Sequence, residues 1–178
     1  VVFPQGNSVL DVLTDSLCLY NNIVRLGNNS FIPEGNFTSI QWLFGDGNKR
    51  TQIDTKPVEY SYNDTGTFNV ALVTTTENLC RDTSVGKVVI LPMPNAELNV
   101  DKRIACFNAD PYFLRDISIN PSSYVKREWI MERNIIATDK DIFYSFSQPG
   151  NHVARLVISD TFGCTDTSKV DLLVNPSP

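Results

Sequence analysis

The sequence predicts an all-β protein made of two similar sandwich domains in tandem, and three observations support this. Apolar residues alternate with other residues over segments of strand length, as along 67–75. No useful stretch shows the 3.6-residue period of a helix. The second half of the chain repeats the first. At 178 residues, the chain is too long for one seven-strand sandwich of about 100 residues and suits two.

The same residue types recur in the same order in the two halves of the chain. Such a repeat indicates two copies of one structural unit. We predict domains at 1–91 and 92–178, with residues 1–3 as the tail of a preceding module's last strand. The chain is therefore expected to come from a longer array. The clearest correspondences are Cys18 with Cys106, Trp42 with Trp129, Tyr60 with Tyr144 and Cys80 with Cys164.

Strand-length segments bounded by Gly, Asn, Asp and Pro clusters give the elements of each domain. In the first domain we predict strands at 8–13, 17–20 or 23–27, 38–44, 50–54, 57–62, 67–75 and 83–91. In the second we predict strands at 96–101, 112–119, 124–131, 140–146, 151–159 and 167–174. The Pro-x-Pro sequences at 92–94 and 176–178 fix φ and predict short, stiff connections.

The core is predicted from large side chains that fall on one face of these strands. Trp42 and Phe44 alternate around Leu43, and a turn signal at 45–47 ends that strand. The expected core residues are Trp42, Phe44, Tyr60, Phe68, Trp129 and Tyr144.

Three segments of the first domain resemble the PKD family, whose hallmark is a W-x-F-G-D-G strand end followed by Y-x-Y and G-x-[YF]-x-V-x-L-x-V. The resemblance implies an immunoglobulin-like β-sandwich in each half. It also implies a non-catalytic extracellular role, as a rigid spacer, stalk or adhesive segment of a large bacterial cell-surface protein. The matching segments are Trp42-Leu43-Phe44-Gly45-Asp46-Gly47, Tyr60-Ser61-Tyr62 and Gly66-Thr67-Phe68-Asn69-Val70-Ala71-Leu72-Val73.

More detailed expectations follow from the same resemblance. The cysteine spacing and the turn at 163–167 are similar to those of large surface proteins of Bacteroidetes, which implies an outer-membrane-associated location and a link to adhesion, gliding or a secretion system. Asp15-Ser16-Leu17 looks like the O-glycosylation motif of that phylum, with Ser16 as acceptor. Two alternatives remain: an accessory substrate-binding module of a secreted polysaccharide- or protein-degrading enzyme, and a docking domain for an envelope protein.

The chain has four cysteines, two in each repeat. Of the three possible pairings, we predict Cys18–Cys80 and Cys106–Cys164, the one that respects the repeat with one disulfide in each domain. Such bridges imply an oxidising compartment. A zinc site is disfavoured because no C-x-x-C pair is present and the ligands would come from two domains.

Charge and motif content exclude several functions. The net charge is −5 without a basic half, which disfavours nucleic-acid binding. No apolar run is long enough to span a membrane. His152 is the one histidine, at the position of Phe68 in the repeat, where a structural role is expected. Nucleophile and metalloprotease motifs are absent, so no catalytic residues or cofactors are predicted.

Two kinds of ligand site remain open. Asp46 and Asn48 can supply oxygen ligands to calcium, or Asp46 can cap its own turn, and the cap is the favoured reading. Aromatic residues near predicted loops can stack on sugars, although most are expected to pack locally. The partners expected are neighbouring modules of the same chain and a surface glycan or envelope protein. The aromatic candidates are Tyr20, Phe31, Tyr112, Tyr124 and Phe162.

Overall fold

The computed structural model describes residues 6–119 and 126–177, in which the regular structure is β-strand throughout. The predicted all-β class is confirmed. The chain divides into two compact units, Val1–Pro92 and Met93–Pro178, and each is described by itself. The predicted tail at 1–3, the first residues of the predicted strand 124–131, and Tyr124 lie outside the described residues.

The first unit is a sandwich of two sheets. One sheet has three strands in the order β1-β3-β6, and the other has five in the order β2-β8-β7-β4-β5. The strands are β1 (Leu10–Val12), β2 (Ser16–Cys18), β3 (Val24–Asn28), β4 (Phe37–Leu43), β5 (Lys49–Gln52), β6 (Val58–Tyr60), β7 (Gly66–Thr76) and β8 (Arg81–Leu91).

One hydrophobic core joins these sheets. Val24 and Leu26 of β3 contribute from the three-stranded sheet, while Trp42 of β4 and Leu72 of β7 contribute from the other; all four are fully buried. The alternation read from the sequence is the physical cause, since successive residues of a strand point to opposite faces and only one face meets the other sheet.

The second unit repeats this arrangement within its described residues. Its sheets have the orders β14-β11-β9 and β10-β16-β15-β12-β13, and one cluster that includes Leu114, Trp129 and Leu156 fills the space between them. The strands are β9 (Leu98–Val100), β10 (Ile104–Cys106), β11 (Tyr112–Asp116), β12 (Lys126–Met131), β13 (Asn134–Ala137), β14 (Asp141–Tyr144), β15 (Gly150–Ser159) and β16 (Thr165–Asn175).

Among the described residues, each unit has one parallel strand pair, at an edge of its larger sheet. β2 pairs in parallel with β8, bringing Cys18 opposite Leu91. β10 pairs in the same way with β16, bringing Cys106 opposite Asn175. A strand from the start of each unit is therefore hydrogen-bonded to the far end of that unit's last strand.

This geometry shows that the predicted pairing Cys18–Cys80 is wrong. Cys18 lies opposite the last residue of β8, whereas Cys80 immediately precedes its first residue. At about 3.3 Å per residue, the eleven-residue strand separates the two cysteines by roughly 33 Å. A disulfide needs Cα atoms within about 7 Å.

The predicted pairing Cys106–Cys164 is wrong for the same reason. Cys106 lies opposite Asn175 at the end of β16, and Cys164 precedes the first residue of that strand. Cys80 and Cys106 carry free thiols, whereas Cys18 and Cys164 are disulfide-bonded. The expectation of one disulfide closed within each domain is therefore overturned.

Candidate functional sites

The turn after β4 is the first candidate site, because it holds the oxygen-bearing side chains predicted as calcium ligands. Asp46 Oδ1 accepts a hydrogen bond from the backbone N–H of Asn48 at 2.9 Å. Its Oδ2 accepts from Asn48 Nδ2 at 3.0 Å and from the Tyr60 hydroxyl at 2.5 Å. Both carboxylate oxygens are thus engaged by donors of the same unit, which is the arrangement of a turn cap.

The pKa shifts of this cluster agree with its hydrogen bonds. Burial raises the pKa of Asp46, but the hydrogen bonds from Tyr60 and Asn48 outweigh it and hold that pKa below its ordinary value. Burial and the neighbouring Asp46 carboxylate raise the pKa of Tyr60. A cation at Asp46 would have to displace these donors. The described residues contain no group of three or more His, Cys, Asp or Glu side chains placed to hold a metal ion.

An aromatic row connects this turn to the core of the first unit. The rings of Phe44 and Tyr60 stack at 3.7 Å, Tyr60 meets Tyr62 edge-on at 4.9 Å, and Tyr62 stacks on Phe68 at 4.1 Å. The Tyr62 hydroxyl donates to the Phe44 carbonyl at 2.7 Å, and burial raises the pKa of Tyr62. Trp42 and Phe44 are buried, while Tyr60 and Phe68 are half-buried against the cluster.

The second unit places different residues in the corresponding row. Trp129 is fully buried, and Tyr144 is half-buried against the same core. Tyr144 meets Phe146 edge-on, and Phe146 stacks on His152 at 4.0 Å. His152 Nδ1 lies 3.0 Å from Glu132 Oε1, and its Nε2 lies 2.9 Å from the Gln148 carbonyl oxygen. The imidazole therefore has packing partners and a hydrogen-bonding partner at each ring nitrogen, as a structural role requires.

The remaining predicted residues lie on the surface or in the core. Ser16 is exposed on β2, and its glycosylation stays a prediction. Tyr20, Phe31 and Phe162 are exposed, as loop aromatics should be. Tyr112 is instead 3 % exposed on β11, with its hydroxyl donating to the Leu173 carbonyl at 2.8 Å. Tyr112 is therefore not available to stack on a sugar.

The sequence reading missed an exposed aromatic pair on the outer face of the second unit. Phe113 of β11 and Phe143 of β14 are cross-strand neighbours whose rings stack at 4.7 Å, and Phe143 is 70 % exposed. The Arg115 guanidinium lies 5.1 Å from the Phe113 ring centroid. A signal existed, since the run Tyr112-Phe113-Leu114 places aromatic or apolar groups on both faces of one strand.

The first unit has an ion pair at the corresponding cross-strand position. Arg25 of β3 pairs with Glu59 of β6, and Arg25 Nε lies 2.9 Å from Glu59 Oε1. A polar pair therefore suits this surface position, and the aromatic pair is a particular feature of the second unit.

Comparison with known proteins supports the fold of the first unit. Residues 13–90 match the family model described as PKD domain. A comparison with curated proteins gave no significant match. None of the described residues form a helix long and apolar enough to cross a membrane.

Several solved structures are similar. The PKD1 domain of the Vibrio cholerae metalloprotease PrtV is 23 % identical, with a TM-score of 0.41, and the match covers 48 % of this chain and 96 % of that one. The PKD1 domain of Vibrio anguillarum Epp is 22 % identical, with a TM-score of 0.41, over 48 % and 93 %. The fibronectin(III)-like modules of Clostridium thermocellum CbhA are 13 % identical, with a TM-score of 0.43, over 95 % and 94 %.

The family match and the sandwich described above agree on the class of module. PKD and other immunoglobulin-like modules are commonly extracellular structural or binding modules and are generally non-catalytic. Residues 13–90 of this chain are similar in sequence to a PKD domain.

Proposed function

We propose that the chain is a non-catalytic extracellular spacer that carries tensile force along a large bacterial cell-surface protein. The observation that supports this most is the parallel pairing of an early strand with the last strand of each unit, β2 with β8 and β10 with β16. The location we propose is the outer-membrane surface, in an adhesin that takes part in attachment, gliding or secretion-dependent display.

The parallel pair resists extension because of the direction in which the ends are pulled. The Ser8 N–H, near the start of the first unit, bonds to Asp82 Oδ2 at 2.7 Å, so the chain comes in beside the beginning of β8. It leaves at the other end of that strand, after Leu91. Tension then slides β2 along β8 and strains their hydrogen bonds together.

Two further hydrogen bonds flank the β2–β8 pair, and together with the bonds of that pair they form what we call the clamp. The Val89 N–H donates to the Asp15 carbonyl at 2.7 Å, and the Leu19 N–H donates to the Leu91 carbonyl at 2.9 Å. The second unit has the equivalent bond from the Phe107 N–H to the Asn175 carbonyl at 2.7 Å. Bonds loaded in parallel must break almost together, whereas bonds at the tip of a hairpin break one by one.

Single-molecule pulling from the two chain termini tests the proposal, in reducing buffer so that the disulfides at Cys18 and Cys164 are open and do not bear the load. The variant Leu19→Pro removes the N–H that bonds to Leu91, and the second unit serves as the reference within each molecule because its Phe107 bond is unchanged. We expect two unfolding events of similar force in the parent chain. In the variant, one event should move to a clearly lower force while the other stays.

Chemical unfolding of Leu19→Pro must show that the first unit still folds, so that a lower force reports the clamp. If the folded variant keeps both unfolding forces, the clamp is not the element that resists tension. If both units of the parent chain unfold at the low force of peeled hairpins, the spacer proposal fails.

The exposed Phe113–Phe143 stack favours a second candidate function, a carbohydrate-binding accessory module. A stacked aromatic pair on a sheet face can receive the apolar face of a sugar ring, and Arg115 beside it supplies hydrogen-bond donors. Retention on insoluble cellulose and chitin should then fall in Phe143→Ser. Collagen, which has no polysaccharide backbone, serves as the control matrix. Equal retention of parent and variant would exclude this site.

A further inference from the structure

The two cysteines of each unit occupy opposite ends of its last strand. In the first unit, the Thr76 N–H donates to the Cys80 carbonyl at 2.9 Å and closes the β7–β8 turn. Asp82, two residues further on, receives the incoming chain at Ser8. Cys80 therefore marks the N-terminal end of its unit. Cys18 faces Leu91, where the chain leaves, and so marks the C-terminal end.

The second unit reproduces both positions in structure as well as in sequence. The Asp160 N–H donates to the Cys164 carbonyl at 3.0 Å in the equivalent turn, and the Ala96 N–H donates to Asp166 Oδ2 at 2.7 Å. Cys164 is thus the N-terminal-end cysteine of its unit. Cys106 faces Asn175 and is the C-terminal-end cysteine.

At each pair of equivalent positions, one cysteine is disulfide-bonded and the other is a free thiol. Of the C-terminal-end cysteines, Cys18 is disulfide-bonded and Cys106 is free; of the N-terminal-end cysteines, Cys164 is disulfide-bonded and Cys80 is free. Each kind of position therefore forms a disulfide in one unit and carries a thiol in the other. Cys106 is exposed and Cys80 is half-buried.

Distance excludes a partner within the same unit for either free thiol. The length of β8 or β16, roughly 33 Å, separates the two cysteines of a unit, and a disulfide spans Cα atoms no more than about 7 Å apart. Neither free thiol can therefore form a disulfide with the other cysteine of its own unit.

We propose that Cys80 and Cys106 are sites of covalent linkage between copies of this chain, with Cys106 of one copy bonded to Cys80 of another. Cys80 occupies an N-terminal-end position, and its equivalent in the other unit, Cys164, is disulfide-bonded. Cys106 occupies a C-terminal-end position, and its equivalent, Cys18, is also disulfide-bonded. A second copy of the chain offers each free thiol a partner at the opposite kind of position. The linkage joins a C-terminal-end position of one copy to an N-terminal-end position of another. It goes beyond the spacer role, since it does not depend on how each unit responds to force.

The chemistry is a thiol–disulfide exchange in which a small disulfide such as oxidised glutathione is the oxidant. The thiolate of one cysteine attacks a glutathione sulfur and releases one glutathione thiol. The second cysteine then attacks the mixed disulfide, forms the Cys106–Cys80 bond and releases the second glutathione thiol. Two protein thiols are oxidised, and one glutathione disulfide is reduced to two thiols.

The test mixes two variants of the full chain in a glutathione redox buffer. Cys80→Ser retains only the Cys106 thiol, Cys106→Ser retains only the Cys80 thiol, and one of the two is labelled with heavy nitrogen. Intact mass spectrometry then counts each dimer. We expect the mixed dimer to exceed either homodimer well beyond the roughly twofold excess of random pairing, because its ends are of opposite kind. The linking peptide should contain Cys80 and Cys106.

Three outcomes would overturn the proposal: statistical pairing of the variants, homodimers in excess, or glutathione adducts with no protein dimer. The double variant Cys80→Ser/Cys106→Ser is the control and should stay monomeric while Cys18 and Cys164 remain oxidised. Unchanged melting curves of all three variants show that the thiols, and not misfolding, decide the result. The pulling experiment uses the double variant in reducing buffer, where neither the proposed linkage nor the disulfides at Cys18 and Cys164 can form, so the two proposals can fail separately.

Discussion

Gly45 and Gly47 flank Asp46 in the turn after β4, but they face different surroundings. Both have positive φ, +84° and +93°. A Cβ on Gly45 would lie 2.7 Å from the backbone oxygen of Asn69 and 2.9 Å from its nitrogen, whereas a Cβ on Gly47 would meet nothing within 4 Å. Gly45 thus allows close approach of the β7 backbone, and Gly47 only permits the turn.

Because their surroundings differ, replacing each glycine by alanine should lower the free energy of unfolding by different amounts. Gly47→Ala should lower the free energy of unfolding by about 1 kcal/mol, the ordinary cost of a left-handed backbone conformation for alanine. Gly45→Ala adds a backbone clash and should cost about 3 kcal/mol or more. Urea unfolding followed by tryptophan fluorescence measures both. Equal costs would show that the approach to Asn69 is not a constraint.

Asp116 is a buried carboxylate that the second unit has where the first unit has Asn28. Its side chain is 3 % exposed, its Oδ1 accepts the Ser118 N–H at 2.8 Å, and its Oδ2 accepts from Arg127 Nε. Burial raises the pKa of Asp116, but the hydrogen bonds from Ser118 and Arg127 outweigh it and hold the pKa below its ordinary value. Asn28 keeps the turn bond, from the Ser30 N–H at 3.0 Å.

The lowered pKa of Asp116 predicts a pH dependence of stability with a definite sign. Because the unfolded carboxyl has the higher pKa, its stabilising contribution is complete above pH ~4 and is lost as pH falls through the folded pKa. Asp116→Asn should therefore cost about 1–3 kcal/mol at neutral pH, and much less in acid. Urea unfolding of both proteins at pH 7 and pH ~3 checks this. A cost that does not change with pH would contradict it.

At the level of elements, the β12–β13 hairpin replaces the glycine turn of the first unit by a tighter loop. Met131 pairs with Asn134, and the two loop residues between them, Glu132 and Arg133, have φ of 48° and 75°. Positive φ at both positions is the pattern of a type I′ turn, which favours Asn and Gly. Neither residue suits that conformation, although Glu132 gains its contact with His152.

This loop predicts a stabilising substitution. Arg133→Gly should raise the free energy of unfolding by about 0.5–1 kcal/mol, because glycine adopts positive φ without steric cost. Glu132→Gly is the matched control, and it should gain less because it removes the contact with His152. Thermal and urea unfolding of the two variants compare them. A loss of stability in Arg133→Gly would mean that its side chain has a role not visible in its contacts.

The elements that could be predicted from sequence are those with a long alternating pattern. The segment predicted at 67–75 is the strand Gly66–Thr76, and 83–91 lies within Arg81–Leu91. The edge strands β10 and β13 were not predicted. Both are short and largely exposed and contain no fully buried residue, so they have no buried apolar face that a sequence pattern could reveal. Backbone pairing with a neighbouring strand decides their conformation.

For the whole chain, the repeat in the sequence predicts which cysteines are equivalent but not how they pair. The repeat identifies Cys18 with Cys106 and Cys80 with Cys164, and the structure places each pair at equivalent points. The repeat alone does not show at which end of a strand each cysteine lies. The length of β8 or β16 excludes the pairing within a copy that the repeat predicts.

The two separate cores predict that each unit folds alone. The cluster around Trp42 uses strands of the first unit, and the cluster around Trp129 uses strands of the second. Fragments 6–92 and 93–178, with their cysteines replaced by serine, should each unfold cooperatively with a stability of about 5 kcal/mol. Each should show the blue-shifted fluorescence of one buried tryptophan.

Fragment 6–80 is the control, because it lacks β8, a strand that pairs with both β2 and β7. Without β8, one face of the five-stranded sheet loses Val88 and Ile90 from the core, and β7 loses its longest partner. This fragment should therefore remain unfolded at the same concentration. If fragment 6–92 were equally unfolded, the first unit would depend on groups outside its own core. It would then not be an independently folding module.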